Sequence, residues 1–146
     1  MARHAHKPDY GSRIVACCDL VDSSLGSAKD RYGSGLYITH DYRDLLDREL
    51  DAVFITTPDY LHEEHAIAAL EAGMAVYLEK PMAITIEGCD RILNLAHKKQ
   101  VRLYLGHNMR HMAFVLKLKE LIDTGAIGDV KTAWCRHFVG HGGEFY

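Results

Sequence analysis

Four groups of polar residues in this chain follow directly on apolar runs. Asp19 closes "RIVACCDL". Thr56, Thr57 and Pro58 close "DAVFITTP", and Glu79 and Lys80 close "AVYLEKP". His107, Asn108 and Arg110 follow "VRLYLG". Charged residues are rarely buried unless paired, so a Glu–Lys pair ending an apolar run calls for a reason. A carboxylate accepts hydroxyl hydrogen bonds, and an ammonium group donates and polarises; such groups bind and orient a polar small molecule. Metal chelation fits the pattern less well. In "HEEH" (62–65) the histidines stand three apart, whereas the helical zinc motifs place them four apart. A helix face, with His62 near the ligand edge and His65 packed or solvated, is the preferred reading. His137 and His141 in "RHFVGHGGEFY" read equally as substrate contacts or as surface residues. Cys89 falls at a helix-core position, where free cysteine behaves as a small apolar residue.

The elements that must position these groups alternate. Arg13–Leu20, Asp51–Pro58, Ala75–Pro81 and Val101–Asn108 read as strands, with a weaker one at "GLYITH". Leu61–Ala72 reads as a helix with a possible N-cap at Asp59 and a terminating Gly73. Thr85–Lys99 reads as a helix with a threonine N-cap, Glu87 in its first turn and lysines at its end. Ala113–Thr124 is a third helix, apolar on one face and followed by Gly125. Strands alternating with helices of this length predict βαβ units and a doubly wound parallel sheet, α/β in class. Strands covered on both faces read as continuous apolar runs, as "AVFI" and "AVYL" do. "DVKTAWCRHFV" alternates partly and is expected as a strand that begins a second α+β domain.

Length and composition narrow the class. A chain of 146 residues can bury a real core. Its net charge of −3 gives no general reason to expect nucleic acid or an anionic membrane as partner. No apolar run approaches bilayer length, and "MARHAHKPDYG" has no signal-peptide core. Cys17, Cys18, Cys89 and Cys135 contain no CxxC pair and read as reduced thiols of a cytoplasmic protein.

In open α/β sheets ligands bind outside the carboxyl ends of the strands, where the four polar groups fall. Asp19 fits the acid that binds the adenosine ribose of NAD and repels the extra phosphate of NADP. A solvated loop acid is the plain alternative. No Lys or Arg follows until Lys29, which favours NAD. The Gly-rich phosphate loop, expected about 20 residues before such an acid, has no counterpart here. "ARHAH" looks like the tail of the helix that follows that loop. The expectation is therefore that the first strand and its loop are missing, leaving open edges on the neighbouring strands.

From "TTPDYLHEEHAIAALEAGMAVYLEKP" onward the chain resembles the glucose–fructose oxidoreductase/inositol dehydrogenase (Gfo/Idh/MocA) family. "TP…H", "EKP" and "GHN.R" occur in that family's order and spacing between Arg13 and Arg110. The resemblance implies an incomplete NAD(P)-binding Rossmann domain over residues 1–111. It implies a linking helix and first strand of a substrate domain over 112–146. Asp19 then holds the adenosine ribose, and Thr56, Thr57, Pro58 and His62 line the nicotinamide end. Glu79 bonds the nicotinamide ribose. Lys80 contacts cofactor and substrate and polarises the reacting hydroxyl. Asn108 and Arg110 sit beside the nicotinamide. The implied activity is hydride transfer between NAD and a sugar, cyclitol or related polyol, by an enzyme that is a homo-oligomer when full-length. The family's further acid/base residues are expected beyond Tyr146. The alternative is a non-catalytic dinucleotide-binding or regulatory remnant.

Overall fold

The apolar runs become strands, each trimmed to its paired centre. The computed structural model describes residues 5–136. The strands are β1 Ala16–Cys18, β2 Tyr37–Thr39, β3 Ala52–Ile55, β4 Ala75–Leu78 and β5 Leu103–Leu105. All pair in parallel, as alternation with helices predicts. They form a two-stranded sheet, β1–β2, and a three-stranded sheet, β3–β4–β5. In the common doubly wound order a further strand separates the two sets. Among the described residues β1 and β3 each pair on one side only.

Register brings the strand ends level. Ile55 lies opposite Leu78, and Leu78 opposite Leu105, so Thr56, Glu79 and Gly106 emerge side by side. The Glu79 amide donates to the Ile55 carbonyl at 3.0 Å and the Gly106 amide to the Leu78 carbonyl at 2.8 Å.

The helices are α1 Asp22–Tyr32, α2 Arg43–Leu46, α3 His62–Glu71, α4 Ile86–Lys99 and α5 Ala113–Asp123. α3 and α4 cover one face of the larger sheet. Ala66, Ala69 and Leu70 of α3 and Ile92 and Ala96 of α4 meet Ile55, Val76 and Leu78 in a buried core. Leu70, Leu78 and Ile92 are fully buried. The alternate residues Phe54, Tyr77 and Tyr104 face the other way. Their rings stack across the three strands with centroids 5.0 and 5.3 Å apart.

Caps set the helix ends. Thr85 caps α4, its hydroxyl accepting from the Gly88 amide at 3.0 Å. Gly73 takes a φ of 79° after α3, a conformation open to glycine. The expected cap at Asp59 is corrected. Asp59–Leu61 forms a 3-10 turn instead, and α3 starts at His62 with no side-chain cap.

The chain divides into two compact units, 1–106 and 107–146. The second carries a 3-10 turn, Asn108–His111, and α5, none of whose residues is buried. The strand expected from Asp129 onward does not appear over residues 129–136. A strand needs a partner for its backbone groups, and no described residue pairs with this one. In that segment Arg136 lies 5.4 Å from the ring centre of the exposed Trp134. Residues 2–4 of "ARHAH", together with His137 and His141, lie outside the described residues. No helix among the described residues is long and apolar enough to cross a membrane.

Candidate functional site

Two turns build a cleft at the carboxyl ends of β3 and β4. The chain leaves β3 at Thr56 and runs through Thr57, Pro58 and Asp59 into the start of α3. It leaves β4 at Glu79, Lys80 and Pro81. Together with His62 these residues line a cavity of about 330 Å³. Six of the residues singled out in the sequence therefore meet in one place: Thr56, Thr57, Pro58, His62, Glu79 and Lys80. A second concavity of about 430 Å³ runs along α3 between Tyr42, Tyr60, Glu63, Glu64 and Glu71. It is larger but acidic, and it holds none of the strand-end residues.

The cleft residues differ in how they are held. Glu79 is half-buried, and one of its carboxylate oxygens accepts from the Lys80 amide at 2.9 Å. Gly106 makes room for it. A Cβ there would lie 2.8 Å from the Tyr77 hydroxyl and 3.1 Å from a Glu79 carboxylate oxygen. Lys80 is exposed at the mouth, and the Lys80–Pro81 peptide is cis. The Thr57 hydroxyl lies 3.1 Å from Nδ1 of His65. Burial, as the larger cause, pushes the His65 proton off. Glu64 opposes that push, and His62 and Arg43 add to it.

His62 is nearly inaccessible, at 1% exposure. Its Nδ1 lies 2.6 Å from the Pro81 carbonyl oxygen and its Nε2 2.8 Å from the Thr57 carbonyl oxygen. Both ring nitrogens are thus engaged with backbone, one on each turn of the cleft. With a backbone oxygen against each ring nitrogen, neither is open to a metal ion.

Asp19 stands apart from this lining, exposed at the end of β1. Its carboxylate accepts from the Val21 amide at 2.9 Å. His40, after β2, spans the strand tips: Nδ1 lies 2.8 Å from the Asp19 carbonyl oxygen and Nε2 3.1 Å from the Asp22 carboxylate. Burial, then the nearby acids, push the Cys17 and Cys18 thiols up, so neither is an activated nucleophile. Asn108 and Arg110 fall on the 3-10 turn of the second unit.

Sequence reading missed Asp59 as a lining residue, the His65–Thr57 contact and the space at Gly106. A glycine directly after a strand was the available signal for the last.

A cleft of these groups, at this end of this sheet, fits a dinucleotide. The carboxylate and hydroxyls can hold a ribose and an amide, and an exposed acid, Asp19, ends β1 in the other sheet. Known proteins agree. Residues 2–107 match the family described as "Oxidoreductase family, NAD-binding Rossmann fold". Inositol 2-dehydrogenase of Salmonella typhimurium is 34% identical over 130 residues, which cover 88% of this chain and 39% of that protein. The crystal structure of myo-inositol 2-dehydrogenase from Lactobacillus plantarum superposes with a TM-score of 0.81 at 28% identity, over 88% of this chain and 38% of that one. The WlbA dehydrogenase of Bordetella pertussis, in complex with NADH and UDP-GlcNAcA, gives a TM-score of 0.73 at 30% identity, over 80% and 33% of the two chains. This chain therefore spans about two fifths of the length of such relatives, and on motif, fold and similarity it belongs to the Gfo/Idh/MocA oxidoreductases, a family with an NAD-binding Rossmann fold.

Proposed function

We propose that this chain forms the nucleotide-binding part of an NAD-dependent dehydrogenase that oxidises a sugar, cyclitol or related polyol. The observation that carries this reading is the cleft gathering Thr57, Glu79 and Lys80 at level strand ends. NAD, when bound, supplies the hydride acceptor. The chain's own residues bind and orient. Glu79, half-buried and kept clear by Gly106, accepts from ribose hydroxyls. Thr57 offers a hydroxyl to the amide of the nicotinamide. Lys80 donates to the oxygen of the reacting carbinol, holding it and stabilising the negative charge that grows as its proton leaves. Asp19 selects NAD over NADP by accepting ribose hydroxyls and repelling a phosphate. The inositol dehydrogenases among the relatives and the NADH-bound neighbour support the substrate class and the cofactor.

The test is Lys80→Ala in the enzyme that carries this chain. Turnover of the preferred polyol, followed by NADH absorbance across a polyol panel, falls by about 10²-fold or more, while NAD affinity changes far less. Near-normal turnover sinks the assignment. No turnover of any polyol by the unaltered enzyme favours the regulatory reading.

A further inference from the structure

We infer that His65, the second histidine of "HEEH", is a positioning residue for the cleft: it fixes the Thr57 hydroxyl in the orientation that meets the ligand. The two histidines of that motif stand three apart, so both lie on one face of α3. That spacing serves chelation poorly but brings both rings to one residue. Nε2 of His62 lies 2.8 Å from the Thr57 carbonyl oxygen, and Nδ1 of His65 lies 3.1 Å from the Thr57 hydroxyl. The backbone and the side chain of Thr57 are thus held separately. A hydroxyl both donates and accepts, so either tautomer of the His65 ring satisfies the contact.

Thr57 needs this hold because it is exposed and lines the cleft. A threonine side chain on an open turn has several staggered rotamers to choose from, and each sends the hydroxyl a different way. The bond to His65 selects one of them. His65 is itself braced. Its half-buried ring packs against Tyr42 with the ring centres 4.2 Å apart. The Tyr42 hydroxyl donates to a Glu64 carboxylate oxygen at 2.7 Å. Arg43 reaches the same oxygen at 3.3 Å and stands 4.7 Å over the Tyr42 ring. The hold on Thr57 therefore runs back through α3 to Tyr42 and Arg43 at the start of α2. Ordering a group before its ligand arrives lowers the cost of binding. Thr57 touches no reacting atom in the proposed reading, so the benefit falls on affinity for the cofactor and not on the chemical step.

The positioning role rests on the proposed reading of the cleft, and its test is a set of variants of the enzyme that carries this chain. His65→Phe keeps a ring against Tyr42 and removes the nitrogen that meets Thr57. His65→Asn drops the ring and keeps a polar atom near the place of Nδ1. Thr57→Val removes the hydroxyl. Calorimetry of NAD binding should show His65→Phe weakened by about 5-fold, the effect of one ordinary hydrogen bond, with kcat at saturating NAD nearly unchanged. His65→Asn recovers most of that affinity. Once Thr57 is valine, His65→Phe weakens binding no further, because the two residues act as one unit. Unaltered NAD affinity in His65→Phe, or losses that multiply in the double variant, overturns the inference. If His65→Phe does not fold, the unaltered enzyme decides. With its threonine methyl groups labelled with ¹³C, the three-bond coupling of the Thr57 methyl to its backbone nitrogen should have the value of a single rotamer, and a rotamer-averaged value overturns the hold. Failure of the dehydrogenase reading shows itself separately, as normal turnover in Lys80→Ala, and leaves the rotamer and affinity measurements standing.

Discussion

Gly106 decides how closely Glu79 and Tyr77 approach the strand beside them. A methyl group at that position meets the Tyr77 hydroxyl at 2.8 Å and the Glu79 carboxylate at 3.1 Å, so both side chains must shift. We expect Gly106→Ala to weaken NAD binding by the enzyme carrying this chain more than it lowers the melting temperature. Titration calorimetry and a thermal melt of the same variant check this. His65 yields a second expectation. Burial lowers its affinity for the proton in the folded state, so below about pH 6.5 the unfolded chain binds more protons. Stability then falls as the pH drops through that region and is retained above it. His65→Phe should flatten that fall in denaturant titrations at a series of pH values. The strand-end residues were legible because charged and polar groups directly after an apolar run are improbable without a use. The role of His62 was not. Its partners are two backbone carbonyls, of Thr57 and Pro81, and backbone atoms are the same at every position.

Elements were legible in proportion to their periodicity. α4 follows its apolar stripe and its cap, and Thr85 bonds the Gly88 amide as that cap requires. Thr85→Ala should cost about 1 kcal/mol of stability, read by chemical denaturation. α1 escaped notice for a physical reason: Leu25 is its one buried residue, and a single apolar contact leaves no stripe. The strands proved shorter than the apolar runs because a parallel ladder extends only where both neighbours supply backbone groups. The four residues of β3, for instance, match β4 one for one. Asp59 had the composition of a helix cap. A tight turn through Asp59–Leu61 took its place and put Asp59 on the cleft wall. The strand foreseen after Asp129 lacked the condition every strand needs, a partner among the residues described.

For the molecule as a whole, alternation of strand and helix was enough to foresee a parallel α/β fold. The division into two sheets carries its own expectation. β4 is bonded on both sides and covered by α3 and α4, whereas among the described residues β1 and β2 pair only with each other. Two-stranded sheets are marginal alone, and local opening tracks poor burial. Hydrogen exchange followed by mass spectrometry should therefore show amides of 75–78 exchanging slowest, and those of 16–18 and 37–39 well ahead of them. Equal protection across all five strands contradicts this picture. The aromatic rings add something practical. The chain has one tryptophan, Trp134, in the second unit, while the stacked Phe54, Tyr77 and Tyr104 belong to the first. Tryptophan emission thus reports on the second unit alone, and the near-ultraviolet dichroism of the stacked tyrosines reports on the first. The unfolding of the two units can be watched in one cuvette, with no dye attached.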